Sequence, residues 1–517
     1  MSGRFLGGLV KLANLAAEAG AALVGFMLDA VGAVKRTVRQ RLMDTYHVTD
    51  FGAVGDGVTD DTLAIIAALW AAAGKTLLFP PGVYIVNGTL LRVYSGTTIF
   101  GYGATLKLKP GTYGSTCYFL GTNTGITYSA EYETTNDVSI FGLTIDGNIS
   151  NVTTTDSCYG INAYKTQGFK VQDVKIKYLP GVIGSGYGIA FSFSNDVQAI
   201  NVNINRTDRQ NIIIWETKNA KINGCTLKDS YFRDCVLVSS MTPAVLQPSE
   251  CIISDSECRN TMSTGTHVIR FSGQSGGQLT NVRIYGYQSG ASGLQGLFVT
   301  DIYPKNIRAV NVTIDDCFRG VEVSSDAAHN IELTACQIGL ETACYDGVRV
   351  NTNLATCKIN GGTIKATNQT LYLNAVDYQS VIGAEIIGGT SNNAVFSESG
   401  GTTIFVGNTI RGNTNASNAI LFAGSGEPII VGNKATSNTQ NIIRATTTAV
   451  CSGNAAKVVV DGAAKSGTIT KRSTTANRPV LTADDVGTMY MDTTLDVDGK
   501  PIWWTGTAWV DGVGATV

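Results

Sequence analysis

The 517-residue sequence predicts an all-β solenoid, a stack of short parallel strands wound around one long core. Three observations predict it. Short apolar runs recur along the chain between turn residues, with 59 Gly but only 10 Pro. Their spacing is regular: runs begin at Val348, Leu371 and Ala394, and the wider steps in mid-chain are what insertions in one loop of a repeat produce. No repeat holds a helix-length periodic segment, so each must bury its strands against those of its neighbours.

The elements follow in order. Residues 12–34 are mostly apolar, with Arg4 and Lys11 before them and Lys35, Arg36, Arg39 and Arg41 after. Glu18 and Asp29 interrupt the stretch, which disfavours a signal peptide. Two acids at about 3 kcal/mol each also disfavour stable membrane insertion, so an amphipathic helix is expected. Thr59 or Asp60 caps a second helix at about 61–72, which covers the first rung. Strands are then expected at 189–193, 212–215, 236–238, 268–271, 297–299, 321–323, 348–350, 371–373, 394–396, 420–422 and 442–444. A second strand type, such as 199–204 and 307–312, alternates apolar and polar residues, with one face buried. Asn205, Asn360, Asn408 and Asn433 recur at turns, where a left-handed corner would suit them. The domains expected are 1–43, a helical anchoring or neck segment; 44–465, the solenoid; and 466–517, a small β-rich domain for trimerisation or carbohydrate contact.

Composition excludes several functions. A net charge of −2 without a basic excess argues against nucleic acid as partner. The 11 cysteines are scattered and the only histidines are His47, His267 and His329, so no metal site and no cofactor are expected. Cysteines inside apparent strands (Cys225, Cys336, Cys357) read as buried free thiols of a protein assembled in a reducing cytoplasm.

The run from Val48 through Phe51-Gly-Ala-Val-Gly-Asp-Gly to Asp60-Asp61-Thr62, then a helix, then Leu78-Phe-Pro-Pro-Gly-Val-Tyr84, resembles the opening of the pectate-lyase-like parallel β-helix superfamily. Phage tailspikes and polygalacturonase-like enzymes share that opening. Thr207-Asp-Arg-Gln-Asn-Ile-Ile-Ile214 resembles a run of the tailspike branch, and the segment from Lys471 to Trp509 is similar to a C-terminal piece of phage tail proteins. The resemblance implies a right-handed, single-stranded parallel β-helix and a homotrimer. It also implies an N-terminus docked on a virion tail protein, and a flank that faces a bacterial capsular or O-antigen polysaccharide. Such a tailspike is made in the host cytoplasm and acts at the host surface.

Hydrolysis of a glycosidic bond needs two carboxyl groups, about 5–5.5 Å apart for retention and about 6.5–9.5 Å for inversion. Rungs stack about 4.8 Å apart, so carboxylates on neighbouring rungs fall near that range. Asp208 and Arg209 precede the strand at 212, and Arg233 and Asp234 precede the next; Glu216 follows Trp215 at the far end. Asp208, Glu216 and Asp234 are therefore the acid/base candidates, with Trp215 as a sugar platform. Arg209 and Arg233, at equal distances from their strands, should stack and hold substrate. Solvated ion pairs worth under about 1 kcal/mol are the competing account of this cluster. Asp301 and the Asp315-Asp316 pair offer another groove, and His267 with Arg270 a galacturonase-like site, although the polygalacturonase motifs are not recognisable. Elimination at a uronate would use Arg209, Arg233 and Tyr231. A spike that binds without cutting is the third alternative. Asp56, Asp60 and Asp61 fit a turn and helix cap better than catalysis, and Trp503, Trp504 and Trp509 serve either sugar or a small core.

Overall fold

The computed structural model describes residues 20, 24–123, 134–181, 186–240, 249–262, 266–273, 275–289, 292–300, 305–324, 329–390, 393–398, 401–414, 419–426, 428–438, 442–445, 449–454, 457–460, 471–473, 475–478, 489–492, 494–495, 500–511 and 515–517. The fold is a right-handed parallel β-helix. The chain packs as two compact units, residues 1–204 and 205–517.

In the first unit, α1 (Val38–Leu42) is closed by a capping box between Thr37 and Gln40. The longer helix expected over 12–34 does not reach its end. Gly25–Phe26 instead pairs as an antiparallel strand with Arg36–Thr37, and Gly32 takes φ 84° between them. A chain that reverses on itself there cannot continue a helix. Residues 12–19 and 21–23 lie outside the described residues.

The second helix, α2 (Thr62–Ala71), buries Ile65, Ala68 and Leu69 and leaves Leu63 and Trp70 in solvent. The N-cap is Asp61, without a side-chain cap bond, while the Asp60 carboxylate accepts from Thr62 N (3.2 Å) and Thr62 Oγ1 (2.6 Å) and so ties down the first helical residue. Asp61 is buried and holds Val54 N and Gly55 N at 2.7 and 3.1 Å, while Asp56 accepts from Val58 N and Thr59 N. These three acids thus fix a turn. Beyond α2 the unit climbs by three parallel ladders, one of which runs through Leu91–Arg92, Cys117–Gly121, Cys158–Tyr164 and Gly186–Ser192.

The second unit repeats the pattern. Its face ladder comprises β1 (Ile212–Trp215), β2 (Val236–Ser240), β3 (His267–Gly273), β4 (Gln295–Thr300) and β5 (Arg319–Ser324). It continues through β6 (Cys344–Asn360), β7 (Thr363–Ile382) and β8 (Val395–Ser397). β6 and β7 are long because each runs unbroken through two sides of a rung. Ile212, Val236, Ile269, Leu297, Val321, Val348, Leu371 and Val395 stack one above another, none more than 1% exposed. Each such side chain contributes about 1.5–3 kcal/mol on burial. The inward partners on β3 and β8 are Ile269 and Val395, one residue later than the sequence runs at 268 and 394 begin.

The left-handed corners are held by other residues than expected. Gly361, Gly407 and Gly432 take φ near +65°, as do Asn281 and Asn311 at φ 54° and 52°, whereas Asn205, Asn360, Asn408 and Asn433 do not. Glycine adopts that conformation without strain. The Asn that follows Gly407 and Gly432 is buried and hydrogen-bonds the neighbouring turn. Asn408 N donates to Asn433 Oδ1 (3.0 Å), Asn408 Nδ2 donates to Val381 O (2.8 Å), and Asn433 N donates to Asn454 Oδ1 (2.9 Å). Corner backbone that no strand can satisfy is satisfied this way.

The described cysteines, all 11, are buried free thiols. Near the C-terminus, Lys471–Ser473, Met489–Asp492, Lys500–Trp504 and Trp509–Asp511 form a four-stranded sheet around Tyr490, Ile502 and Trp509, with Trp504 packed against them. Among the described residues no helix is long and apolar enough to cross a membrane.

Candidate functional site

The period of two in each face strand sends alternate residues outward. One outward row holds Ile213, Leu237, Arg270, Phe298, Glu322, Arg349, Tyr372 and Phe396 in mutual register. A parallel row three residues earlier holds His267, Gln295, Arg319, Asp346 and Gln369. Charges concentrate on these two rows.

Asp234 is fully buried, and His267 donates Nδ1–H to its Oδ1 at 2.7 Å. A carboxylate partner on Nδ1 selects the tautomer whose Nε2 is the basic nitrogen. The His267 ring stacks on Phe298 with centroids 4.3 Å apart and planes 2° from parallel. The Arg270 guanidinium lies 6.0 Å from the Phe298 centroid and donates to Ser272 Oγ at 3.3 Å.

One rung on, Glu322 points outward from between the inward Val321 and Val323, yet is only 6% exposed. Its Oε1 is held by the Arg319 guanidinium, which also lies 3.6 Å from Asp346 Oδ2. Asp346 is 5% exposed and accepts from Asn368 Nδ2 at 2.8 Å. The Glu322 Oε2 atom is buried without a hydrogen-bond partner. Glu322 and Asp346 thus share one guanidinium from adjacent rungs. Aromatic surface flanks them: Arg319 sits 4.8 Å over Phe318, Phe318 stacks on Tyr345, and Arg349 sits 4.4 Å over Tyr372, which stacks on Phe396. Among the described residues no group of three or more His, Cys, Asp or Glu is arranged to hold a metal ion.

The residues singled out from the sequence are distributed differently. Asp234 is not solvated beside Arg233; it lies just before β2, fully buried, where it meets His267 of the next rung. Glu216 sits past the other end of β1, buried at φ 47°, and accepts from Ser240 Oγ at 2.6 Å. Strand length places it on the order of 15–20 Å along the rung from Asp234, so these two carboxylates do not pair. Asp208 is half-buried, and its carbonyl accepts from Phe232 N at 3.1 Å. Arg209 is half-buried, while Arg233 is exposed and offers its carbonyl to Asn260. Tyr231 meets Phe232 edge to face at 4.5 Å, and half-buried Trp215 lies in register with Ser239. Asp315 is buried and ties Glu341 N (3.1 Å) and Thr342 N (3.4 Å), so it fixes a loop. Asp301 lies outside the described residues.

Glu322, Arg319, Asp346 and Arg349 were missed. A signal was available: Glu322 is the lone charge in Gly-Val-Glu-Val, and aligning the apolar runs by their second residue sets Phe298, Glu322, Arg349 and Tyr372 in one row. Turn carboxylates drew attention away from strand carboxylates.

A family model described as rhamnogalacturonase A/epimerase, pectate lyase-like, matches residues 45–241. Alginate lyase 7 of Azotobacter vinelandii is 35% identical over 182 residues, which is 31% of this chain and 19% of that enzyme. Mannuronan C5-epimerase AlgE5 of the same organism is 40% identical over 118 residues, 20% of this chain and 11% of the epimerase. The chain thus spans less than a fifth of the length of either relative. Among solved structures, tailspike protein 3 of bacteriophage CBA120 aligns over 99% of this chain and 77% of its own, at 18% identity and a TM-score of 0.47. Residues 45–241 therefore carry the pectate-lyase-like signature of the parallel β-helix proteins.

Proposed function

We propose that this chain is a tailspike-type polysaccharide depolymerase that binds a bacterial surface glycan along the outward rows of β3–β8 and hydrolyses it. The observation that carries the reading is the pair Glu322 and Asp346, buried on adjacent rungs and held by Arg319. In this reading Glu322, with its unpartnered Oε2, faces the glycosidic oxygen as general acid. Asp346 is the second carboxylate. The aromatic rows pack on the apolar faces of the sugars. Relatives named as an alginate lyase and a mannuronan epimerase support a polysaccharide as the ligand.

A specific observation also favours elimination. His267, oriented by Asp234, is a base of the right kind, and Arg270 beside it would neutralise a uronate carboxylate. The two reactions separate in one assay: extracted capsular and O-antigen polysaccharides are incubated with the protein, and reducing ends and ultraviolet absorbance are followed together. Hydrolysis gives reducing ends alone; elimination adds an absorbing double bond. Glu322→Gln and Asp346→Asn are compared with Asp208→Asn, Glu216→Gln and Asp234→Asn. Loss of turnover on the second set alone would return the site to Asp208, Glu216 or Asp234, whichever variant shows it. Binding without either signal would make the protein an adhesin. The same reading includes a homotrimer docked through its N-terminal segment on a virion tail, which the mass by light scattering and a pull-down with tail proteins test.

A further inference from the structure

A second side of the same unit carries a cleft that the depolymerase reading does not use. It lies over Ser275–Thr280, Lys305–Val310, His329–Thr334 and the latter part of β6, and has a volume of about 510 Å³. That is within the roughly 300–1,000 Å³ of small-ligand sites. Gln278, Arg308, Glu332 and Lys358 form one outward row of its wall, in register. Asn306, Asn330 and Thr356 form the next, with Asn330 Nδ2 donating to Asn306 Oδ1 at 2.7 Å. Gly277 lines the cleft beside them, and a Cβ on neighbouring Gly276 would meet Asn306 O at 3.3 Å.

Three features define what fits. The amides and the hydroxyl are the donors and acceptors that read sugar hydroxyls. Two cations face one carboxylate, and the Arg308–Glu332 pair is loose at 3.6 Å, with side chains 56% and 38% exposed. Such a pair is weak and its guanidinium can turn to an incoming carboxylate. Tyr378, in register with the lining residue Thr356, carries the Lys358 ammonium 5.8 Å from its centroid. A single carboxylate in the lining leaves out two-carboxylate hydrolysis.

We infer that this cleft is a second, non-catalytic binding site for a short acidic oligosaccharide, held by Arg308 and Lys358 through its carboxylate and by the Asn306–Asn330–Thr356 row through its hydroxyls. It would keep a long glycan on the spike between cuts.

The test is calorimetric titration of the full chain with trigalacturonate, and with maltotriose as the neutral counterpart, in low salt. Trigalacturonate is expected to bind and maltotriose to bind at least tenfold more weakly. Arg308→Gln with Lys358→Gln should lower the affinity at this site at least tenfold while release of reducing ends from polymer, at saturating concentration, stays at the wild-type rate. Glu332→Gln should tighten binding several-fold, because it frees Arg308 and removes the only opposing charge; a structural role for the row would not produce that sign. Glu322→Gln should leave this binding unchanged, which separates it from failure of the depolymerase reading. Equal binding of both trisaccharides, no binding of trigalacturonate, or unchanged affinity in the double variant of a chain with wild-type circular dichroism would each overturn the proposal.

Discussion

Two outward surfaces of the second unit are built by the same rule and end in opposite conditions. The rows on β3–β6 and the wall of the cleft on the adjoining side both place charged side chains in register on consecutive rungs. On the first, Glu322 points outward between inward Val321 and Val323 yet is only 6% exposed, and Asp234 and Asp346 beside that row are 0% and 5% exposed. On the second, Arg308 and Glu332 stand well out in water. Facing outward is therefore not the same as being solvated. A desolvated carboxylate costs several kcal/mol unless it is paired, and it is retained where that cost is offset by its partner or justified by chemistry. An exposed pair costs and contributes little.

The comparison is tested hardest at its buried end. Glu322→Gln keeps the shape of the site and removes the proposed proton donor. Turnover is expected to fall about 10²–10⁴-fold with binding retained, measured by reducing ends and by calorimetry on the same preparation. Asp234→Ala, which strips a buried partner from His267, is expected to cost on the order of 3–5 kcal/mol in denaturant unfolding. A cost under about 1 kcal/mol there would mean that water reaches the pair and that the contrast between the two surfaces is overstated.

The Asn row of the corners sharpens the contrast from neutral groups. Asn433→Ala leaves Asn408 N without its acceptor, and removes the donor to Phe405 O. An unsatisfied buried group costs about 1–3 kcal/mol, so a midpoint shift of that order is expected in the same assay.

Asp315 supplies a pH-dependent case. Burial pushes its carboxyl above the ordinary value of 3.8, against the hydrogen bonds from Glu341 N and Thr342 N. The folded state then holds the proton more tightly than the unfolded state. Its contribution to stability is full below the unfolded value and is lost as pH rises through the raised folded value. Asp315→Asn, which keeps the acceptor oxygen and carries no charge, should raise Tm near pH 7 and leave it unchanged near pH 3. An equal change at both pH values would show that packing, not ionisation, sets the effect. The smallest change is expected on the exposed side: Glu385→Gln breaks an ion pair with Arg411 at 2.8 Å whose side chains are 38% and 46% exposed, and should move stability by less than about 1 kcal/mol.

Much of the fold was legible because it is periodic. Strand positions such as 212–215 and 420–422 agree with the structure, and the acids at 56, 60 and 61 act as turn and cap residues. Register was harder: runs that begin at 268 and 394 are offset by one from the residues that stack, and one residue is the difference between inside and outside. Corner chemistry was legible in kind but assigned one residue off, since Arg206, Gly361, Gly407 and Gly432, each next to an expected Asn, take the left-handed conformation. Which candidate side chains meet one another was hardest to read. Asp208, Arg209, Arg233 and Asp234 are adjacent in sequence to two turns, but Asp234 belongs with His267, 33 residues away.

The sequence by itself determined that strands would stack in parallel. Its repeats bury no core alone, and alternation within each run fixes which side faces in. Tertiary structure alone decided which outward charges lost their water. Burial of Glu322 depends on what the neighbouring rungs place around it, Phe298 on one side and Arg349 on the other, 24 and 27 positions away in the chain. Desolvation is a property of that three-dimensional surround, so no pattern within a single repeat encodes it.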